Sequence, residues 1–398
     1  MEFIDAFLKK REAEATLRSL KALDTRGPGE IVQQGTRYVD FSSNDYLGLS
    51  RHPRIIEAAR QALETCGVGT GASRLLSGDL MLHHQLEEET ALFKQKESAL
   101  VFNSGYQANV GIIPAFAGKN DAVFSDSLCH ASQIDGVILS RAAKFPFRHN
   151  DMEHLEDLLK RERSKFGQAL ILTETIFSMD GDRARLRELV ELKERYNCML
   201  MVDEAHATGV FGHEGRGVVH MEGLTEQVDL VMGTFSKALG GFGAYLASSR
   251  KVTDYLVNAA RSFIFSTALP GCIIAANLAA LDVCRSEPWR GPALLDRARK
   301  FRAALSEKGW SVSGESQIIP VMIGESTTAL RYAAVLLNKG FRALPIRPPT
   351  VPEGTARFRF SLCCEHREEE VSALVEAMRE LKKHQDECCG MNDQDRKG

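Results

Sequence analysis

The chain has no long apolar run, no block of like charge and no CxxC spacing, and each absence removes a class of protein. Apolar stretches such as Cys272 to Leu281 are interrupted by Asn277 and fall short of the roughly 20 residues that span a bilayer. No transmembrane segment is therefore expected. The formal charge is -3, from 50 basic and 53 acidic residues that are interspersed. This balance offers no electrostatic footprint to nucleic acid or to an anionic membrane, so small-molecule chemistry is expected. The nine cysteines are odd in number, with adjacent pairs at Cys363/Cys364 and Cys388/Cys389, so neither a disulfide framework nor a metal site is predicted. Residues 1–20 lack a continuous apolar core and carry Glu2, Asp5, Glu12 and Glu14. That argues against a targeting peptide, and cytoplasmic residence is expected.

What is present is enough to bury a large core: 398 residues, 44% of them hydrophobic, which predicts one large unit with a smaller partner. Phe3, Phe7, Leu8, Ala15 and Leu20 fall at helical spacing and predict an amphipathic helix packed on the body. Helices are expected from Ile55 to the glycines at 67–71 and from Leu80 to Phe93. Beyond them, short apolar runs alternate with helical stretches at Ala99 to Phe102, Ala122 to Phe124, Ala169 to Leu172, Cys198 to Val202, Leu230 to Met232 and Ala244 to Ala247. This rhythm predicts an α/β fold with a mostly parallel sheet flanked by helices. After Ser286 the pattern shifts to helix, short strand, helix, an alternating run from Arg357 to Phe360, and a charged helix from about Arg367. The expected organisation is an N-terminal helical arm (1–45), a large domain (46–285), a smaller α+β C-terminal domain (286–387) and a disordered polar tail (388–398).

Gly67-Val68-Gly69-Thr70-Gly71-Ala72 matches a dinucleotide fingerprint by letter but follows a helix, where that fingerprint requires a strand. The expected strand ends carry more. Asp203 and His206 close one apolar run, offering a carboxylate that can keep a pyridine-type ring nitrogen protonated and an imidazole three residues on. Met232 to Gly241 holds one lysine, Lys237, among small and apolar residues. Desolvation there favours its nucleophilic, imine-forming state. Asn103-Ser104-Gly105-Tyr106 breaks a strand and opens a helix whose free N–H groups suit a phosphate. Thr234 and Ser236 add hydroxyls, and His130 adds a ring able to stack on a flat cofactor. Each has a plainer reading: a helix cap for Asp203 or Ser104, a core histidine for His130 or His206, a surface amine for Lys237.

The ordered set resembles the α-oxoamine synthase family of pyridoxal-phosphate enzymes, with the aspartate-aminotransferase type fold. The likeness runs from the N-terminal helix to Arg359. It rests on Ser43 to Leu49, the glycine run through Arg74, Ser104 to Tyr106, Phe177-Ser178-Met179-Asp180-Gly181, Asp203 to His206 and Thr234 to Lys237. The resemblance implies pyridoxal 5'-phosphate as cofactor and a decarboxylating condensation of an amino acid with an acyl thioester carried by coenzyme A or an acyl-carrier protein. By it, Lys237 is the Schiff-base lysine and proton carrier, Asp203 partners the ring nitrogen and His206 the ring oxygen. His130 stacks on the ring, meets the substrate and steadies the acyl oxygen, while Ser104, Gly105, Tyr106, Ser178, Thr234 and Ser236 line the cofactor. The segment from Ile346 to Pro352, followed by Thr355 to Arg359, is most similar to the member that joins L-alanine to a pimeloyl thioester for biotin. Asn44 and Arg359 then belong to the substrate site, with Arg359 gripping the alanine carboxylate, and Arg18 and Thr350 contact the acyl chain; a solvated helix face is the plainer account of Arg18. Relatives that use glycine or serine with acetyl, succinyl or long acyl thioesters remain open. Family members are homodimers, which implies that Ser266 and Thr267 reach a neighbouring cofactor phosphate; a cap before Pro270 is the alternative. Ala72 and Ala207 stand where glycine is frequent in the family.

Overall fold

The computed structural model describes residues 2–394. It divides into two compact units, one formed by Met1–Tyr46, Met179–Asp182 and Ala293–Gly398, the other by Leu47–Ser178 and Arg183–Pro292.

The first unit opens with a helix, Glu2–Ala13, with Glu2 and Asp5 in its first turn and Lys10 and Arg11 in its last, the charge order that complements a helix dipole. None of its residues is buried, so the packing expected of Phe3, Phe7 and Leu8 is not made among the described residues. Ala15 takes a positive φ of 53°, and Leu20 lies beyond the helix. Three short strands follow within the stretch read as a helical arm: β1 (Thr25–Gly27), β2 (Glu30–Gln33) and β3 (Thr36–Asp40), an antiparallel meander. The second turn uses Gln34 and Gly35, both at positive φ, as a tight hairpin requires. Strands this short, with a third of their residues exposed, leave little periodic signal.

In the second unit each predicted apolar run becomes a strand of one seven-stranded sheet. The strands are β4 (Ser98–Phe102), β5 (Ala122–Asp126), β6 (Ala143–Phe147), β7 (Ala169–Glu174), β8 (Met199–Asp203), β9 (Leu230–Thr234) and β10 (Ala244–Ser248), in the order β4-β10-β9-β8-β7-β5-β6. Pairings from β6 through β9 are parallel, and β10 runs antiparallel to both β9 and β4. The edge strand β6 was not anticipated, because Lys144 and Pro146 interrupt its apolar residues. Ala244 lies opposite both Thr234 and Phe102, and Glu174 lies opposite Asp203. The residues at and just beyond the carboxyl ends of β4, β5, β7, β8 and β9 therefore gather at one sheet edge, where an open α/β sheet places its ligand site.

The helix Pro53–Cys66 ends on Gly67 at a φ of 70°, so the glycine run does follow a helix. Its continuation lies against residues 267–268: Thr70 Oγ1 donates to the Ala268 carbonyl at 2.9 Å, and Ser73 bridges Thr267.

The rest of the first unit holds β11 (Ile318–Gly324), β12 (Phe341–Arg342), β13 (Pro345–Ile346) and β14 (Ala356–Ser361). Strands β11, β14 and β13 form an antiparallel sheet, and β12 pairs parallel with β3, which joins the N-terminal meander to C-terminal residues. The alternation from Arg357 to Phe360 is not an inside-outside pattern, since all six residues of β14 are buried. Arg357 pairs with Asp180 at 2.6 Å. The last helix, Glu368–Gln394, extends into the segment read as a disordered tail, and residues 395–398 lie outside the described residues. No helix among the described residues is long and apolar enough to cross a membrane.

Candidate active site

At the exit of β4, Ser104 caps the helix Gly105–Phe116, accepting from the Gln107 N–H at 3.2 Å. Gly105 opens the helix where a Cβ would lie 3.0 Å from Met232 Cε. Tyr106 donates its hydroxyl to Asp135. Gln107 Nε2 donates to Ser266 Oγ at 3.3 Å and Asn103 Nδ2 to the Thr267 carbonyl at 2.7 Å. Ser266 and Thr267 thus return to the start of the helix that carries Ser104. Beyond β9, the Thr234 and Ser236 hydroxyls lie 2.7 Å apart, and Thr234 Oγ1 accepts from the Ser236 N–H at 3.1 Å. That turn projects Lys237.

Lys237 Nζ lies 2.8 Å from His206 Nε2. An ammonium can only donate, so while Lys237 is charged His206 accepts through Nε2 and carries its proton on Nδ1. Asp203, at the end of β8, is 5% exposed. Its Oδ1 accepts from the Ala205 N–H at 2.9 Å and its Oδ2 from Asn109 Nδ2 at 3.2 Å. The same Asn109 amide donates to Ser132 Oγ at 2.9 Å, and Ser132 Oγ lies 2.7 Å from His130 Nδ1. A buried hydrogen-bonded path therefore runs from Asp203 to His130, the N-cap of the helix Ala131–Ser140. The His130 imidazole has its pKa lowered by desolvation, with the Lys237 charge acting in the same direction and the Asp203 charge opposing.

Two carboxylates frame this path. Glu174 is 3% exposed. Burial, and then the charge of Asp203 across the β7–β8 pairing, raise its pKa from the ordinary value to about 8. Glu204 is fully buried and ion-paired with buried Lys94. Its Oε1 accepts from the Val219 N–H at 2.9 Å, and Gly217, at a φ of 105°, leaves room where a Cβ would lie 2.2 Å from Glu204 Oε2. The residue after Asp203 is thereby fixed in place.

In the other unit, Arg359 on β14 donates to Asn44 Oδ1 at 3.3 Å, Ser361 Oγ at 2.8 Å and the Tyr46 hydroxyl at 3.2 Å. Arg18 donates to Thr350 Oγ1 at 2.9 Å. Both pairings join residues more than 300 positions apart in sequence. Both lie within the first unit.

Comparison with known proteins follows the same lines. The model for class I and II aminotransferases matches residues 36–378. The chain belongs to that family. A Geobacter sulfurreducens protein named 8-amino-7-oxononanoate synthase is 48% identical over 381 residues, 94% of this chain and 97% of that one. Among solved structures, the serine palmitoyltransferase of Sphingomonas wittichii superposes with a TM-score of 0.91 at 32% identity, covering 96% of this chain and 97% of that one. The 8-amino-7-oxononanoate synthase of Francisella tularensis superposes at 0.77 with 27% identity, covering 87% and 98%.

The family uses pyridoxal phosphate, and the residues at the sheet edge fit it. One amine, one buried carboxylate, a helix N-terminus and an accessible imidazole meet the needs of an aromatic aldehyde carrying a phosphate. Among the described residues, Asn109 Oδ1 and Glu174 Oε1 are buried there without a hydrogen-bond partner, as expected of polar groups lining a ligand site. Sequence reasoning passed over Asn109, Ser132, Glu174 and Lys94. Asn109 lies five residues past Ser104 and Ser132 two past His130, but neither spacing signals the contact between them.

Proposed function

We propose that the chain condenses L-alanine with a pimeloyl thioester, releasing the thiol and carbon dioxide, to form 8-amino-7-oxononanoate for biotin. The observation that carries the chemistry is the juxtaposition at the sheet edge: the Lys237 amine 2.8 Å from His206, with buried Asp203 at the end of the neighbouring strand β8. The choice of substrates rests on the near full-length likeness to the Geobacter sulfurreducens enzyme. The working form is proposed to be a cytoplasmic homodimer, with Ser266 and Thr267 facing the partner's cofactor and the acyl group arriving on coenzyme A or a carrier protein.

When bound, pyridoxal phosphate supplies an electron sink for charge left at the substrate α-carbon. Asp203 holds the acceptor for the ring-nitrogen proton, and the Asn109 and Ala205 donors keep that carboxylate oriented. His206 steadies Nζ of Lys237. Lys237 would hold the cofactor, and its Nζ would lie close enough to take the α-proton of the bound amino acid; proximity would let one residue serve as carrier and base. His130 donates to the acyl oxygen as charge develops there. Ser178 and Thr234 line the cofactor, Arg359 binds the alanine carboxylate with its planar fork, and Arg18 with Thr350 binds the far end of the acyl chain.

Purified protein supplied with pyridoxal phosphate, L-alanine and pimeloyl-CoA should release carbon dioxide and form the product detected by mass spectrometry. Replacing Lys237 by alanine should lower turnover by about 10²- to 10⁴-fold, the span lost with a general base. Borohydride should fix the cofactor on a peptide containing Lys237. Turnover of serine with palmitoyl-CoA or of glycine with acetyl-CoA, and none with alanine, would replace this reading.

A further inference from the structure

We propose that Asn109 and Ser132 are positioning residues that hold His130 as the neutral tautomer with its proton on Nε2. The inference deepens the proposed function and rests on it for the donor role of His130. A backbone N–H can only donate, and that of Ser132 points at His130 Nδ1 at 3.2 Å. Nδ1 therefore presents its lone pair. The Ser132 hydroxyl, 2.7 Å from the same atom and accepting from Asn109 Nδ2 at 2.9 Å, can turn its own hydrogen toward that lone pair.

The direction of the path is set at its far end. The Asn109 amide lies beside the Asp203 carboxylate, which when ionised can only accept, so the nitrogen of Asn109 must face it. One amide hydrogen then goes to Asp203 and the other to Ser132. Asn109 and Ser132 are each 1% exposed, so water does not compete for either bond. The Asn109 carbonyl oxygen is buried without a partner, so no donor opposes this orientation.

The imidazole's proton is thereby placed on Nε2, where it can be given in a hydrogen bond to an acyl oxygen. Charging the ring would put a hydrogen on Nδ1 against the Ser132 N–H and would break that bond. The charged groups that face the ring are Asp203 from the end of β8, Lys237 from beyond β9 and Asp135 from its own helix; Glu174, from the end of β7, lies at the His130 backbone. Their mixed signs do not fix the tautomer, whereas the Ser132 and Asn109 geometry does. The lowered His130 pKa agrees with it.

The test reads the ring itself. In protein labelled with ¹⁵N-histidine, with the His130 signals assigned by their loss in His130→Gln, the wild type should show a protonated Nε2 and a bare Nδ1. This should hold both without cofactor and with pyridoxal phosphate bound. In Ser132→Ala the loss of one hydrogen bond to Nδ1 should raise the His130 pKa by about one pH unit. The acid limb of the kcat profile should move up by the same amount, with KM for alanine unchanged. Asn109→Ala should shift both in the same direction, and Ser132→Thr should return both toward wild type. A ring protonated on Nδ1 in the wild type, or a pKa and acid limb unmoved in Ser132→Ala, would overturn the proposal. Should Asn109→Ala not fold, the Ser132 pair decides alone. Because the ring is also read without cofactor, failure to condense alanine would sink the proposed function and leave the tautomer result standing.

Discussion

Lys94 and Glu204 form a buried ion pair beside Asp203, and removing one partner should be costly. Lys94 is 4% exposed and Glu204 fully buried. Lys94 donates to both the Glu204 carboxylate and the Arg216 carbonyl. In Lys94→Met the Glu204 carboxylate keeps one N–H donor, from Val219, and loses its counter-charge. An uncompensated buried charge of this kind costs about 3–5 kcal/mol. Urea unfolding of wild type and Lys94→Met at pH 8 measures this loss directly. Adding Glu204→Gln to Lys94→Met removes the stranded charge, and the double variant should be more stable at pH 8 than Lys94→Met alone. Because Glu204 adjoins Asp203, cofactor affinity should fall with stability. A loss below about 1 kcal/mol, within the range of exposed pairs, or a double variant weaker than the single at pH 8, would refute the reasoning.

Glu174→Gln should flatten part of the pH dependence of stability in the cofactor-free protein. The Glu174 pKa is raised by burial and by Asp203, so its contribution is complete below the ordinary carboxylate value and is lost as pH rises toward about 8. Urea midpoints at pH 5 and pH 8.5 should converge in the variant; an unchanged difference would show that Glu174 is ionised throughout. Arg359→Lys keeps the charge and loses the planar fork, so KM for alanine should rise about 10- to 100-fold in steady-state assays, and an unchanged KM would place the carboxylate elsewhere. Arg18→Ala should raise KM for the pimeloyl thioester about tenfold with kcat nearly unchanged, as loss of uniform binding does. A fall in kcat alone would remove Arg18 from the acyl site.

What could be read from sequence, and what could not, divides along a physical line. The placement of Lys237, Asp203 and Ser104 at strand ends was legible because one element supplies both the residue and its setting: an apolar run that must be a strand, ending in a polar group where a strand must stop. The strands themselves were legible for the same reason, except β6, the meander β1–β3 and the two-residue strands β12 and β13, where exposed residues, brevity and proline dilute the pattern. Glu174 and Asn109 were invisible because their meaning arises between elements. Glu174 matters only once the β7–β8 register sets it opposite Asp203. Asn109 matters only once the helices Gly105–Phe116 and Ala131–Ser140 pack closely enough for its amide to reach Ser132. That approach depends on Gly136, where a Cβ would lie 2.9 Å from both the Asn109 carbonyl and Ile113 Cδ1. A methyl group there would clash with the Asn109 backbone and force a shift between the two helices. A glycine read in isolation as a weak helix former is thus a condition for the bridge from Asp203 to His130. Such residues are found by asking which small side chain permits two helices to meet, a question that motif spacing within either helix does not pose.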